Sequence, residues 1–259
     1  MIPLTPWVKR LIFANAVVFM LSYVAPQVYL SGRLIPAAVL VRPWTVLTYM
    51  FLHAGLGHLF FNMLGLFFFG PRLEERLGST DFLRLYFWGG LGGALFSFVF
   101  APQFSVVGAS AAVYAVLMGF AMFWPRERIY IYFVLPVEAW LLVAAFVVIS
   151  FVLGFGGAGG PTAHLAHLGG LVSGFAFLRL RHWKRGAARR EFRRKVQDAS
   201  PATVSDRTAI QRWESIDTAM LHELNRQEVQ TLLSKARGEG VRALTHDERA
   251  FLDRMTTRH

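Results

Sequence analysis

The sequence predicts an all-α fold, namely a polytopic membrane bundle of six helices followed by a small soluble helical tail. Of the 259 residues, 54% are hydrophobic and only 17% are charged, whereas a soluble domain usually carries about a quarter charged residues. The charge is also unevenly distributed. Between residues 133 and 178 the only charged residue is Glu138, and segment 179–195 then contains nine Lys and Arg residues. The first part of the chain is therefore predicted to lie in a bilayer.

Six segments are apolar enough to be membrane helices, for which about 20 residues are needed. They are residues 11–30, 56–70, 82–101, 106–124, 133–154 and 163–180. The second segment is short and begins with polar residues, so its outer end is expected to lie inside protein. Lys9 and Arg10 precede the first segment, but no convincing cleavage site follows it. We interpret it as an uncleaved span.

Lys and Arg residues in the short connections predict the orientation of the bundle. On one side lie Lys9, Arg10, Arg72, Arg76, Arg84, Arg126, Arg128 and the basic segment 179–195. The opposite side has Arg33 and Arg42 in its first loop. Both termini are therefore predicted to be cytoplasmic. Spans two, four and six would then bring His58, Ser110 and His167 to one depth, in the outer half of the bilayer.

The chain is expected to comprise a membrane domain (1–182), a basic and polar linker (183–208) and a cytoplasmic helical hairpin (209–259). The basic segment is interpreted as a topology determinant that faces anionic lipid, not as a nucleic-acid site. In the tail, residues 210–237 predict one helix with a partial apolar stripe. Thr245 and Glu248 predict a capping box that opens a last helix. The tail lacks a catalytic constellation, and a protein partner is the hypothesis for its role.

Ser110 lies at a predicted helix start, two residues after Gly108. A serine there can simply cap the helix. It can also act as a nucleophile if a base accepts its proton and if donors stabilise the oxyanion, and helix N-termini supply such donors. Tyr114 lies four residues later on the same helix face, where it could stack on the base or hydrogen-bond to it.

His167 is followed by Gly170 and Gly174 on one helix face, and such small residues let membrane helices approach closely. Span four offers a matching ridge of Ala111, Ala115 and Gly119. Close approach would bring His167 to Ser110 as a base. The alternatives are a histidine that is satisfied by a backbone carbonyl, or His164 as the base.

His58 and Asn62 are four residues apart, so both point to one side of span two. Both can donate hydrogen bonds and could complete an oxyanion hole, or they could hold helices together. His53 is expected to be structural. The glycine-rich segment 154–161 is either a lid or a plain connection.

The chain has no cysteine, which excludes disulfides, thiolate zinc sites and thiol catalysis. A metal or haem site of His53, His58, His164 and His167 is a further hypothesis. Neither a neighbouring carboxylate nor an HExxH motif supports it, and no metal or other cofactor is expected.

Taken together, these motifs resemble the rhomboid family of intramembrane serine proteases. The resemblance rests on His58-x-x-x-Asn62, on Gly108-x-Ser110 with Tyr114, and on His167-x-x-Gly170-x-x-x-Gly174, and it extends over residues 7–180.

The resemblance implies that Ser110 is the nucleophile and His167 its general base. It also implies that His58, Asn62 and the Ser110 backbone N–H bind the oxyanion. The expected substrates are transmembrane proteins, cut near the outer face of a bacterial inner membrane. The alternative is a catalytically inactive relative that binds membrane proteins.

One feature departs from the family pattern. Many rhomboids carry Trp-Arg in the first loop, where this chain has Trp44-Thr45 with Arg42 before the tryptophan.

Overall fold

The computed structural model describes residues 4–131, 134–156, 161–199 and 204–256. The chain divides into two compact units, Met1–Arg185 and Gly186–His259.

The first unit is built from helices and one short hairpin. Its helices are α1 (Pro6–Val24), α2 (Pro26–Gly32), α3 (Thr45–Thr48), α4 (Leu56–Leu77), α5 (Ser79–Phe100), α6 (Ser110–Phe123), α7 (Ala139–Phe155) and the first part of α8 (Pro161–Ala199). Short 3-10 helices span Pro36–Ala38 and Tyr49–Phe51. The strands β1 (Arg128–Ile131) and β2 (Leu135–Glu138) pair antiparallel, with Arg128 opposite Glu138.

All six predicted membrane segments contain a helix, namely α1, α4, α5, α6, α7 and α8. By length and composition, α1 and α5 could each cross a membrane in the described part of the chain. The pair Thr45–Phe51 and Leu56–Leu77, bent by 92°, makes a third candidate if it is counted as one span, while α6 and α7 are apolar but shorter. Large apolar side chains such as Phe61 and Phe151 are exposed on the helix surfaces, as expected for helices in lipid.

Several predicted helix bounds are wrong for identifiable reasons. Segment 11–30 is not one helix, because α1 ends at Val24 and Pro26 opens α2; proline lacks the N–H that would continue the first helix. Span four begins at Ser110 and not at residue 106. Span five begins at Ala139, because residues 128–138 include the β hairpin. Span two continues beyond residue 70, through Pro71 to Leu77.

Much of the predicted linker 183–208 is helical, because α8 continues through the basic segment to Ala199. Lys and Arg have good helix propensity, so the charge that ends the membrane segment need not end the helix.

Within residues 204–256 the tail forms three α-helices and not the predicted hairpin. It contains α9 (Val204–Glu214), α10 (Glu223–Glu239) and α11 (His246–Thr256). Segment 210–237 is interrupted because the Asp217 carboxylate accepts a hydrogen bond from the Ala219 N–H at 3.0 Å, which opens a short 3-10 turn. The capping box is confirmed, since the Glu248 N–H donates to Thr245 Oγ1 and the Thr245 N–H donates to Glu248 Oε2.

A buried carboxylate ties α1 to α4 and α5. Glu74 is 3% exposed and accepts the backbone N–H of Trp7 at 3.2 Å and that of Val8 at 3.1 Å. These N–H groups belong to the first turn of α1, which lacks internal acceptors for them. The Ser79 hydroxyl, in the first turn of α5, donates to the same carboxylate at 2.8 Å. One side chain therefore joins three helices.

Candidate active site

Ser110 and His167 are in direct contact. Ser110 Oγ and His167 Nε2 lie 2.8 Å apart, and both side chains are half-buried. With Nε2 unprotonated, the hydroxyl donates to the ring, which is the arrangement that a serine nucleophile needs. His164 lies one turn earlier on α8, and its ring is edge-on to that of His167 with centroids 6.0 Å apart. Within the described residues, His167 is the histidine that hydrogen-bonds to Ser110.

Tyr114 holds the His167 ring from one side. The two rings are stacked, with centroids 4.4 Å apart and 14° between their planes. Phe146 of α7 also packs against Tyr114, with ring centroids 5.0 Å apart and 48° between the ring planes. The sequence indicated Tyr114 through its helical spacing from Ser110, but α7 is an almost uniformly apolar helix, and nothing in its pattern distinguishes Phe146.

The close approach of α6 and α8 depends on glycine. A Cβ atom added at Gly170 would overlap the Ala111 backbone, and one added at Gly174 would lie 2.8 Å from Ala115 Cα. Two members of the predicted ridge on α6, Ala111 and Ala115, therefore contact these glycines, whereas Gly119 faces leucine side chains that include Leu178 of α8. A third helix also takes part, because a Cβ atom at Gly93 of α5 would lie 2.5 Å from Ala111 Cβ. The sequence pattern of α5 gave no indication of this role for its glycines.

Gly108 gives His58 access to the space beside Ser110. Its φ of +122° lies in the region that favours glycine. An added Cβ atom would lie 2.7 Å from His58 Nε2 and 3.7 Å from Ser110 Oγ. The imidazole and the serine hydroxyl thus border one small volume that any larger residue would fill.

Tyr49 also holds the turn before Ser110 in place, and no sequence pattern indicated this role. Its backbone carbonyl accepts the Gly108 N–H at 2.9 Å, and its hydroxyl donates to the Gly90 carbonyl at 2.6 Å. The side chain is 1% exposed. This residue links the turn before Ser110 to α5, and a tyrosine at the end of an apolar loop segment gives no sequence signal for such a contact.

His58 and Asn62 lie on one face of α4, as predicted. Asn62 is buried and donates through Nδ2 to the His58 carbonyl at 2.8 Å. The Ala54 N–H lies 3.4 Å from His58 Nδ1 and donates to it. When Nδ1 accepts, a neutral imidazole carries its proton on Nε2, so the donor nitrogen of His58 is the one beside Gly108.

His53 is buried and packs edge-on against His58, with ring centroids 5.1 Å apart. The four-histidine metal hypothesis gains no support, because no group of three or more His, Cys, Asp or Glu residues within the described ranges could hold a metal ion. The lid hypothesis for segment 154–161 concerns mainly residues 157–160, which lie outside the described residues.

The first loop is held by bonds around Trp44 and Thr45. Trp44 Nε1 donates to the Ser31 carbonyl at 3.0 Å, and the buried Thr45 hydroxyl donates to the Arg42 carbonyl at 2.6 Å. The loop thus has hydrogen bonds of its own where many rhomboids carry Trp-Arg.

Comparison with known proteins decides the family. The family model for the rhomboid domain matches residues 41–184, more than half of the chain. The chain belongs to the rhomboid family. It is therefore an integral membrane protein with a polytopic helical bundle, and the family to which it belongs is in general one of intramembrane serine proteases.

Named relatives come from bacteria, plants and parasites. The chain is 31% identical to RHOMBOID-like protein 12, mitochondrial, of Arabidopsis thaliana, over 67% of this chain and 58% of that protein. It is 36% identical to the rhomboid protease GluP of Bacillus subtilis, over 51% of this chain and 25% of that protein. It is 28% identical to rhomboid-like protease 3 of Toxoplasma gondii, over 66% of this chain and 69% of that protein. The chain thus spans 58% of the length of the first of these relatives and 25% of the length of the second.

Proposed function

We propose that this rhomboid is an intramembrane serine endopeptidase in which Ser110 and His167 form the catalytic pair. The observation that carries the proposal is the 2.8 Å contact between Ser110 Oγ and His167 Nε2. His167 accepts the hydroxyl proton as Oγ attacks the scissile carbonyl carbon, and it then donates that proton to the departing amine. Water hydrolyses the resulting acyl-enzyme with the same base. Stacking on Tyr114 holds the imidazole in position through both steps.

The negative charge that develops on the substrate oxygen needs donors. The Ser110 backbone N–H is one of the free donors at the start of α6. His58 Nε2 borders the same volume across Gly108, and Asn62 has a second amide N–H besides the one bonded to the His58 carbonyl. These groups form the proposed oxyanion hole.

The proposed substrates are transmembrane segments of other proteins. A helix in lipid satisfies its own backbone hydrogen bonds, so a substrate has to unwind locally before a scissile carbonyl can reach Ser110. We place the protein in a bacterial inner membrane. The Lys and Arg residues of the connecting loops support an orientation with both termini cytoplasmic, which would put the catalytic pair in the outer half of the bilayer. The family comparison supports peptide hydrolysis, and nothing about the site requires a cofactor.

Covalent labelling of the purified full-length protein with a fluorophosphonate tests the proposal directly. Wild-type protein should be labelled at Ser110, and Ser110→Ala should abolish labelling. His167→Ala should reduce the rate by about 10³-fold or more. His164→Ala is the matched control, since it removes an imidazole one turn away, and it should retain most of the rate.

Labelling that persists in Ser110→Ala, or a larger loss in His164→Ala than in His167→Ala, would overturn the assignment. Cleavage of a reconstituted transmembrane substrate should follow the same order of variants.

A further inference from the structure

The end of the bundle opposite Ser110 contains a small cavity with a basic rim. Helices α4, α6 and α8 each run from the candidate active site towards this end. The cavity has a volume of about 360 Å³ and is lined by Arg76, Phe123, Leu178, Arg179, Arg181 and His182. Because α6 has 14 residues and rises 1.5 Å per residue, this end lies about 20 Å from Ser110.

Two arginines at this cavity, Arg76 and Arg179, have no carboxylate among the described residues as an ion-pair partner. Arg76 and Arg179 are exposed, and neither forms an ion pair with a carboxylate in the part of the chain that the structure describes. Both contact aromatic rings: Arg76 lies 5.2 Å from the ring centroid of Phe123, and Arg179 lies 6.0 Å from that of Phe175. Such contacts hold a guanidinium in place while its N–H donors stay available.

Arg181, which also lines the cavity, is engaged in hydrogen bonds within the protein. It donates to the Asp81 carboxylate at 2.6 Å and to the Leu77 carbonyl at 3.2 Å. It therefore fixes α8 against the α4–α5 connection and adds little free charge. The described residues that line the 360 Å³ cavity include no carboxylate, so an anion between Arg76 and Arg179 would meet no repulsion from these walls.

A groove on the other side of Arg181 provides an internal comparison. It has a volume of about 670 Å³ between α5 and α8 and is lined by Arg84 and Lys184, but also by Asp81. Arg84 donates to Asp81 at 3.2 Å. The two cavities share Arg181 and one end of the bundle, and they differ in whether a carboxylate is present.

We propose that the cavity between Arg76 and Arg179 binds the phosphate of an anionic phospholipid whose acyl chains lie in the adjoining leaflet. Arginine presents paired N–H donors that match phosphate oxygens. Basic pockets between membrane helices take lipid head groups in this way. The apolar wall of Phe123 and Leu178 suits the glycerol and first acyl carbons of a lipid better than a fully hydrated ion.

Binding there would link the helices that form the active site. Arg76 is on α4 with His58 and Asn62, and Arg179 is on α8 with His167. A phosphate held by both arginines joins the far ends of these two helices across the end of α6. Because the lipid binds the folded protein and not the unfolded chain, it stabilises the fold by an amount that increases with lipid concentration.

The test uses the full-length chain in a neutral detergent and follows its unfolding temperature. Added phosphatidylglycerol should raise the unfolding temperature of the wild type by several degrees, and phosphatidylcholine should not. The double variant Arg76→Gln/Arg179→Gln should lose at least ten-fold in apparent affinity for phosphatidylglycerol. The matched control Arg84→Gln/Lys184→Gln removes equal charge from the neighbouring groove and should respond as the wild type does.

Three results would each overturn the proposal. An equal loss in both double variants would indicate general attraction of lipid to a positive surface. A full response of the wild type to inorganic phosphate would identify a soluble anion as the ligand. If the double variant does not fold, Arg179→Gln alone should still weaken the response, and an unchanged response would contradict the site. Lipid binding is measured independently of peptide hydrolysis, so it can fail without affecting the proposed protease activity.

Discussion

A serine hydroxyl is a weak nucleophile, so its surroundings decide whether it reacts. Around Ser110 these surroundings are an imidazole nitrogen at 2.8 Å and an aromatic ring that fixes the imidazole plane. Helical spacing predicted that Tyr114 shares a helix face with Ser110 and that small-residue ridges let α6 and α8 approach, but it left His164 open as the base. The choice of His167 came from the resemblance to rhomboids. The supports Tyr49 and Phe146 could not be predicted, since their contacts join segments that are distant in sequence.

Replacing the single residue Gly108 should have a large effect on the reactivity of Ser110. In Gly108→Ala, the new methyl group would lie 2.7 Å from His58 Nε2 and would have to displace either the imidazole or the turn before Ser110. Misplacing a catalytic group by about 1 Å can cost about 10²-fold in rate, and we expect a loss of this size in fluorophosphonate labelling.

Gly78→Ala is the control for backbone strain in the Gly108 experiment. Gly78 also has a positive φ, +82°, but nothing lies within 4 Å of an added Cβ atom there. This variant should lose some stability and keep its labelling rate. Equal losses of labelling in both alanine variants would mean that strain, and not the contact with His58, is responsible.

Hydropathy predicts the helices themselves well, because a segment that crosses lipid must be apolar and must satisfy its own backbone. It predicts their ends poorly. Pro26 divides the first apolar segment, and the β hairpin delays the start of α7 to Ala139. In the tail, one side chain-to-backbone bond at Asp217 separates two helices. Each of these helix ends is set by local hydrogen bonds or by a proline. An average of hydropathy over a segment detects neither of these features.

Glu74 should contribute measurably to the stability of the helix bundle. In Glu74→Gln, the N–H groups of Trp7 and Val8 lose a charged acceptor, and hydrogen bonds to charged groups contribute about 1.5–3 kcal/mol. We expect a loss of about 2 kcal/mol in the free energy of unfolding, seen as a lower unfolding temperature in detergent.

Glu75→Gln provides the comparison, because Glu75 is the exposed neighbour of Glu74 on the same helix. It should change stability by less than about 0.5 kcal/mol. If both variants lower the unfolding temperature equally, loss of negative charge at this end of the bundle, and not loss of the cap on α1, explains the effect.

The chain as a whole contains separate hydrophobic cores. One large cluster lies among the membrane helices and includes Leu66, Leu85 and Ala112. Another is confined to the tail and is centred on Trp213, Val229 and Leu252. The change from apolar to charged sequence predicted this division, but not the three-helix form of the tail. Trp213 closes the tail core by donating through Nε1 to the Asp253 carboxylate at 2.8 Å, a contact between residues 40 positions apart that sequence periodicity cannot reveal.

Separate cores predict separate responses to mutation. Trp213 is 2% exposed, and replacing a buried tryptophan by alanine costs about 3–5 kcal/mol. In Trp213→Ala, backbone amides within residues 204–256 should therefore lose protection from hydrogen exchange. Among the described residues, the hydrophobic cluster of the membrane helices includes none from the tail, so the rate of fluorophosphonate labelling at Ser110 should remain within about two-fold of wild type. A large fall in labelling would show that the folded tail supports the active site, and the two units would then have to be treated as one.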